Sequence, residues 1–276
     1  MKFLVPIDFH QTSFSAFQYA IKFAENFDAK IELIHVINGS FNTNEVVAYD
    51  PLLQMEDAAI KRLEYFVKKY PEEIGIPPTD IELSYSVRFG IPGYTIAEYA
   101  DEHNFDLVIM GTRDQHGIFD KLLGSASSVA IRQAKCPVVL IHENTKYVTP
   151  EKIAFAIDDE GKLEESIEEY RKFNDVLKAK TDFIHIDQNE DDLNEQKEDI
   201  IDELIESKMA EFSFEIKSLK AKDIITTLKD YCVNERIDLV AMVHKKEGWF
   251  SGIFNTNHSV KMAQEFHLPT IIFQEK

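Results

Sequence analysis

The chain has little cysteine and no long apolar run. Its two cysteines, Cys136 and Cys232, show neither metal-ligand nor redox-motif spacing, which is typical of proteins from a reducing compartment. No stretch approaches the roughly 18 to 20 apolar residues that span a bilayer. The first apolar segment is followed at once by Asp8, unlike a signal peptide. We therefore expect a cytoplasmic protein without a membrane segment.

Basic residues are scarce relative to acidic ones. The chain has 30 Lys and Arg against 49 Asp and Glu, and its formal net charge is −19. A negative field of this kind repels nucleic-acid backbones and anionic lipid head groups. We expect neither a nucleic-acid partner nor a membrane-surface partner.

Three common catalytic or phosphate-binding motifs are also missing. The sequence contains no Gly-x-x-x-x-Gly-Lys-Ser/Thr, no Gly-x-Gly-x-x-Gly and no Gly-x-Ser-x-Gly, and no general base or nucleophile stands out. Efficient catalysis is therefore not expected.

The sequence does show a regular alternation of predicted strands and helices. A length of 276 residues fits two domains, and 44% hydrophobic residues are enough to fold them. Short apolar runs alternate with amphipathic stretches of helical period. This pattern predicts two tandem α/β domains, each a doubly wound parallel sheet of about five strands. The predicted strands are 2–7, 30–36, 82–87, 107–110, 138–141, 152–157, 182–186, 212–217, 239–243 and 270–273, and the predicted helices are 13–27, 57–70, 94–103, 125–133, 162–178, 193–208, 222–235 and 259–265.

The two halves match each other at their ends. Residues 106–110 match 238–242 at an offset of 132, whereas residues 4–8 match 154–158 at an offset of 150. We assign the difference in length to a polar loop, 38–56, which the second half replaces with a short acidic segment. A polar stretch without periodicity then marks the boundary between domain 1, residues 1–146, and domain 2, residues 147–276.

Two strand ends in the first half carry the candidate chemistry. In an open parallel sheet, ligands bind beyond the carboxyl ends of the strands where the strand order reverses. The first strand ends in Pro-Ile-Asp at 6–8, and the fourth ends in Met-Gly-Thr-Arg at 110–113, before a loop that closes with Gly124 and Ser125 at a helix start. A glycine, a hydroxyl and a helix N-terminus together favour a phosphate group.

The residues from 106 to 143 resemble the signature of universal stress proteins. Nucleotide-binding members of that family carry Gly, two residues, Gly, nine residues, Gly, then Ser or Thr. Here Gly111, Gly124 and Ser125 match with the right spacing, and the middle glycine is replaced by Asp114. Residues 5–8, 35–36 and 90–92 match as well, so the resemblance covers the first half and the ends of the second.

This resemblance implies adenine nucleotide alpha hydrolase-like, Rossmann-like domains, and it implies ATP or another adenine nucleotide, with Mg or Mn, as a ligand of domain 1. The implied binding residues are Pro6, Asp8 and Val36 at the base, Met110 and Gly111 near the base and ribose, Arg113 and Asp114 in the loop, and Gly124, Ser125, Ala126 and Ser127 at the phosphates. Asp8 is equally typical of a turn or helix-capping residue, and the glycines are equally typical of a loop without a ligand.

Asp114 places a carboxylate where a triphosphate would lie. At ~5 Å and an effective dielectric constant of ~20, one like-charge pair costs about 3 kcal/mol, more than about a hundredfold in affinity. Arg113 and Lys121 in the same loop would offset this repulsion, or Asp114 would hold a divalent metal ion that bridges the phosphates. The sequence leaves both possibilities open.

The second half has lost the matching residues. Val243, Thr256 and Asn257 replace Gly111, Gly124 and Ser125, so we expect no nucleotide there. His244, His258 and His267 invite a zinc hypothesis, but their spacing fits no common zinc pattern, and we expect surface or capping histidines. Both cysteines are expected to be inert packing residues.

Two functions follow. The first is a non-catalytic stress-response protein that binds an adenine nucleotide in domain 1, with slow ATP hydrolysis as the most activity that we consider. The second is a nucleotide-independent scaffold for other proteins, in which the tandem domains form an intramolecular pseudo-dimer. By resemblance, the last strands, 137–141 and 269–273, would meet in that pseudo-dimer, and a homodimer stays open.

Overall fold

Alternating strands and helices run through the whole chain, as the apolar rhythm predicts. The computed structural model describes residues 1–38, 49–73, 75, 81–112, 126–143, 145–157, 163–187, 195–220, 224–244 and 268–274. These residues divide into two compact units, one up to Tyr147 and the other from Val148 onward. No helix among them is both long and apolar enough to cross a bilayer.

The first unit is a parallel sheet with helices between its strands. The strands are β1 (Lys2–Pro6), β2 (Lys30–Ile37), β3 (Leu83–Phe89), β4 (Leu107–Thr112) and β5 (Val138–His142), and the helices are α1 (Gln11–Phe27), α2 (Tyr49–Lys68), α3 (Tyr70–Glu73), α4 (Pro92–Glu102) and α5 (Ala126–Gln133). The spatial order is β3-β2-β1-β4-β5, with all neighbours parallel. The strand order therefore reverses between β1 and β4.

The second unit repeats this topology. Its strands are β6 (Lys152–Ile157), β7 (Lys180–Asp187), β8 (Phe214–Lys220), β9 (Leu239–His244) and β10 (Thr270–Gln274), and its described helices are α6 (Leu163–Leu177), α7 (Glu195–Met209) and α8 (Ile224–Glu235). The spatial order is β8-β7-β6-β9-β10, again parallel. The order reverses between β6 and β9, as it does between β1 and β4.

Apolar residues of the central strands form the core of each unit. Phe3, Leu4 and Val5 in β1 have no exposed surface, and neither do Ile153, Ala154 and Phe155 in β6. Strands that are buried on both faces read as continuous apolar runs, which is why the periodicity located all ten. The prediction of two parallel α/β halves is confirmed.

The helix α2 begins earlier than predicted. Residues 49–56 were expected in a polar loop, but α2 begins at Tyr49. Pro51 lies in its first turn, where a missing backbone N–H removes no intrahelical hydrogen bond. Part of the extra length of the first half is therefore helix. The helix predicted at 259–265 lies outside the described residues.

Both halves also contain a carboxylate–tyrosine hydrogen bond that the sequence comparison missed. Tyr99 on α4 donates to Glu32 on β2 over 2.6 Å, and Tyr231 on α8 donates to Asp182 on β7 over 2.8 Å. Glu32 pairs with Leu4 in the ladder, and Asp182 pairs with Ala154. The acids are 150 residues apart and the tyrosines 132, the same offsets that relate the ends of the repeat.

Candidate ligand site at the carboxyl ends of β1 and β4

The structure places the described part of the predicted site at the edge where the strand order reverses. Pro6 ends β1, Met110 and Gly111 lie near the end of β4, and Val36 is the penultimate residue of the neighbouring β2. Asp8 follows β1, while Ala126 and Ser127 open α5. The remaining predicted residues, Arg113, Asp114, Gly124 and Ser125, lie outside the described residues.

Pro6 ends the hydrogen-bonded ladder between β1 and β4. Even-numbered residues of β1 direct their backbone groups toward β4, since the Lys2 carbonyl accepts from Asp106 N, whereas Ile7 N donates to Ile34 O of β2 over 2.8 Å. Pro6 therefore lacks its N–H on the side that faces β4. The paired residues stop at Leu4 and Val108, although both strands continue beyond them.

The second half shows what happens without the proline. Ala156 occupies the position of Pro6 and has a backbone N–H. The ladder between β6 and β9 there has four paired positions and extends to Ala156 and Met242. The ladder at the switch point thus ends two positions earlier in the first half than in the second.

Gly111 has a packing role that needs no ligand. A Cβ atom at this position would lie 2.4 Å from the carbonyl oxygen of Thr12 and 2.9 Å from Ser13 N. Both atoms belong to the backbone of the first turns of α1, so neither can move aside easily. The missing side chain lets the start of α1 approach the end of β4.

Asp8 forms a tight turn between β1 and α1. Its Oδ1 accepts from His10 N over 3.0 Å, which satisfies a backbone donor just before the helix. Between them, Phe9 has a φ of 63°, an uncommon conformation for a residue other than glycine. The expectation of a turn role for Asp8 therefore agrees with its geometry, and its side chain remains exposed at this edge.

Three residues beside the site were not predicted. His35 Nδ1 lies 2.6 Å from Ile7 O, and its ring centroid is 4.6 Å from that of Phe9. The guanidinium carbon of Arg62 on α2 lies 3.7 Å from the Phe9 centroid. Phe9 offered one signal, since an aromatic residue between Asp8 and His10 is unusual in a turn. Arg62 offered no such signal, because the helical period of α2 predicts only that its side chain is exposed.

The residues at the matching strand end of the second half are buried. Val243, which replaces Gly111, is 4% exposed. His244 was expected at the surface, but it is 8% exposed and pairs with Gln274 of β10, because it belongs to the buried end of β9. Among the described residues, no three His, Cys, Asp or Glu side chains form a metal-binding group. His258 and His267 lie outside the described residues.

The cysteines are both free. Cys232 is buried on α8, and desolvation, followed by the nearby charge of Asp182, raises the pKa of its thiol to about 12. A thiol with so high a pKa is a poor nucleophile at neutral pH, so the structure agrees with the inert role expected for Cys232.

Comparison with known proteins identifies the first half. The model of the universal stress protein family matches residues 1–142. A universal stress protein of Methanocaldococcus jannaschii is 30% identical over 152 residues, which cover 52% of this chain and 84% of that protein. Universal stress protein G of Shigella flexneri is 32% identical over 146 residues, covering 50% of this chain and 96% of the relative.

The fold of the whole chain has a counterpart among solved structures. A universal stress protein from Archaeoglobus fulgidus superimposes with a TM-score of 0.75 and covers 99% of this chain and 96% of its own, at 16% sequence identity. An identity this low establishes the fold alone. Together with the family match over the first half, these similarities show that the chain belongs to the universal stress protein family.

Proposed function

We propose that this chain is a non-catalytic, cytoplasmic stress-response protein whose domain 1, residues 1–146, binds ATP or another adenine nucleotide together with Mg²⁺ or Mn²⁺. The observation that carries the proposal is the interruption of the β1–β4 ladder at Pro6, which ends the paired positions two residues earlier than in the matching β6–β9 ladder.

The surroundings of this edge suit a phosphorylated ligand. Gly111 brings the start of α1 against β4, and a helix N-terminus attracts anions through its unpaired N–H groups and its dipole. Ala126 and Ser127 begin a second helix, α5, in the same unit. Pro6, Met110 and Val36 add apolar surface for a base.

Titration calorimetry of the full chain with ATP and Mg²⁺ or Mn²⁺ tests the proposal. We expect one nucleotide per chain, and we expect Asp114→Asn and Asp114→Gly to bind more tightly, because each removes a carboxylate from the predicted phosphate side. Asp230→Asn, which removes an equal charge from α8 in the second half, is the control and should leave the affinity unchanged. If the folded wild type and both Asp114 variants show no binding heat at several temperatures, the proposal fails.

A scaffold without nucleotide is the second candidate. It is favoured by Gly111 and Asp8, since packing against Thr12 and the turn to His10 explain these residues without a ligand. The pseudo-dimer and its pairing of last strands remain predictions of this alternative. An adenine nucleotide that purified with the native protein in a one-to-one ratio would contradict it.

A further inference from the structure

A separate pocket lies beside the proposed nucleotide edge, where β2 ends against α2. Its volume is about 350 Å³, and its lining includes Phe9, His35, Val36, Met55, Ala59 and Arg62. A pocket of this size with mostly apolar walls and a few polar groups is typical of a small-molecule site. Pro6, Asp8, Met110 and Gly111 do not contribute to its lining.

The charge of this pocket is opposite to that of the chain. The net charge of the protein is −19, yet none of the described residues that line the pocket is acidic, while Arg62 contributes a guanidinium. No described carboxylate pairs with Arg62, and its guanidinium lies over the ring of Phe9 instead. An exposed cation without a counter-ion at an apolar pocket favours a ligand with an anionic group.

Two polar groups of the pocket, those of Arg62 and His35, are planar and held in place. Arg62 lies over one ring, Phe9, at 3.7 Å, and that ring contacts His35 at a centroid distance of 4.6 Å. His35 Nδ1 must donate to Ile7 O, because a carbonyl oxygen can only accept, and this bond of 2.6 Å fixes the imidazole ring. Planar side chains that are fixed in this way favour a ligand with a planar ring.

We propose that this pocket binds a small planar aromatic acid, whose ring packs against Phe9 and the apolar wall and whose anionic group pairs with Arg62. The pocket shares only Val36 with the predicted nucleotide residues, and the proposal goes beyond nucleotide binding. Arg62 sets the preference for an acid, and Phe9 sets the preference for a flat ring.

The test compares three probes on the full chain by titration calorimetry and ligand-observed NMR. The probes are 2-naphthoate, its uncharged analogue 2-naphthamide, and decalin-2-carboxylate, which keeps the charge but is not flat. We expect naphthoate to bind one per chain and at least about tenfold more tightly than either analogue, because naphthamide loses the charge-assisted bond to Arg62 and decalin-2-carboxylate loses the flat ring that packs against Phe9. Equal binding of naphthoate and naphthamide, or no naphthoate binding at millimolar concentration, overturns the proposal without any variant.

Variants then locate the site. Arg62→Gln should weaken naphthoate about tenfold or more and leave naphthamide unchanged, and Phe9→Leu should weaken both. Lys61→Gln, which removes a charge from the neighbouring exposed position of α2 but does not line the pocket, should change naphthoate binding less than about twofold. An unchanged affinity in a folded Arg62→Gln variant contradicts the proposal. ATP titrations of the same samples keep the two ideas separate, because the naphthoate result is expected even where ATP does not bind.

Discussion

Gly111 and Thr12 are in contact where β4 meets the first turn of α1. The absent Cβ leaves room for the helix backbone, and the same residue occupies the first glycine position of the family signature. A glycine with a clear packing role is retained whether or not a ligand binds nearby. The early end of the ladder at Pro6 is therefore stronger support for a ligand site than Gly111 is.

Gly111→Ala should destabilise the first unit by about 1 to 3 kcal/mol, because the added methyl group has to displace helix backbone. Urea unfolding followed by circular dichroism measures the loss. Ser84→Ala, at an exposed position of β3, is the control and should change the free energy of unfolding by less than about 0.5 kcal/mol. An equally small effect at Gly111 would contradict the packing role.

Residue patterns predicted the position of this edge but not its construction. The carboxyl ends of β1 and β4, near Asp8 and Gly111, could be located because buried parallel strands are continuous apolar runs. The effect of Pro6 depends on which of its sides faces β4, and the partner of Arg62 depends on how α2 packs against β2. Both are tertiary facts that a single sequence does not encode locally.

At the scale of elements, β1 and β6 occupy the same position in the strand order but form ladders of different length. Each is the central strand of its sheet, but only β1 ends in proline. The ladder to the neighbour across the switch point has two paired positions for β1 and four for β6. The presence of Pro6 or Ala156 thus accounts for the number of paired positions in each ladder.

Exchanging Pro6 and Ala156 should exchange the lengths of the two ladders. Pro6→Ala restores an N–H toward β4, and we expect the new amide to be protected from hydrogen exchange. Ala156→Pro removes a ladder hydrogen bond from a buried strand, and we expect a loss of about 1 to 3 kcal/mol. Exchange measured by mass spectrometry and urea unfolding decide the outcome. Fast exchange at residue 6 of the folded variant would show that something other than proline separates the strands.

The start of α2 shows why elements are harder to delimit than to find. Residues 38–56 contain Asn, Gly and Pro51, a composition typical of a loop, yet helix begins at Tyr49. Proline is compatible with a first helical turn and with a loop alike. All ten strands were predicted, because no such ambiguity affects a short apolar run between polar flanks.

The first strands also differ in how their leading lysines are paired. Lys152 of β6 lies 2.8 Å from Asp182, whose side chain has no exposed surface. Lys2 of β1 instead donates to the carbonyl oxygen of His103 over 2.8 Å. Although desolvation lowers the pKa of Lys152, its hydrogen bonds to Asp182 and Glu235 outweigh this effect, and the pKa is raised above its ordinary value.

Lys152→Met should therefore cost about 3 to 5 kcal/mol, because it leaves a buried carboxylate without its cation. Lys2→Met, the matched control in the first half, should cost about 1 kcal/mol or less. The double variant Lys152→Met with Asp182→Asn should recover most of the loss. A change in the urea midpoint for Lys152→Met as small as that expected for Lys2→Met would contradict the prediction.

At the scale of the whole molecule, the described groups whose pKa values are raised furthest lie in the second unit, although the pKa values of four tyrosines in the first unit are raised as well. Desolvation raises the pKa of the Tyr170 hydroxyl, and desolvation with the bond to Asp182 raises that of Tyr231. The Cys232 thiol, with a pKa of about 12, is on the same helix as Tyr231. Each group stays protonated in the folded state to a higher pH than in the unfolded chain.

Alkaline conditions should consequently weaken the second unit first. A group with a raised folded pKa contributes its full stability below its unfolded pKa, and this contribution is lost as the pH rises toward the folded value. For these side chains the loss begins above about pH 8.5 to 10. Limited proteolysis at pH 8 and pH 10.5, read by mass spectrometry, should show new cleavage beyond Val148 before any in the first unit. Earlier cleavage in the first unit would contradict this order.

Among the described residues, each half has one tyrosine that reaches from a helix to a strand carboxylate, and neither bond connects one half to the other. Tyr99 and Glu32 both come from before the division at residue 147, and Tyr231 and Asp182 both come from after it. A protein engineer who replaced one half with that of a relative would therefore leave the other half's helix anchored to its own sheet, so chimaeras joined at this point are a practical way to move a ligand site between members of the family.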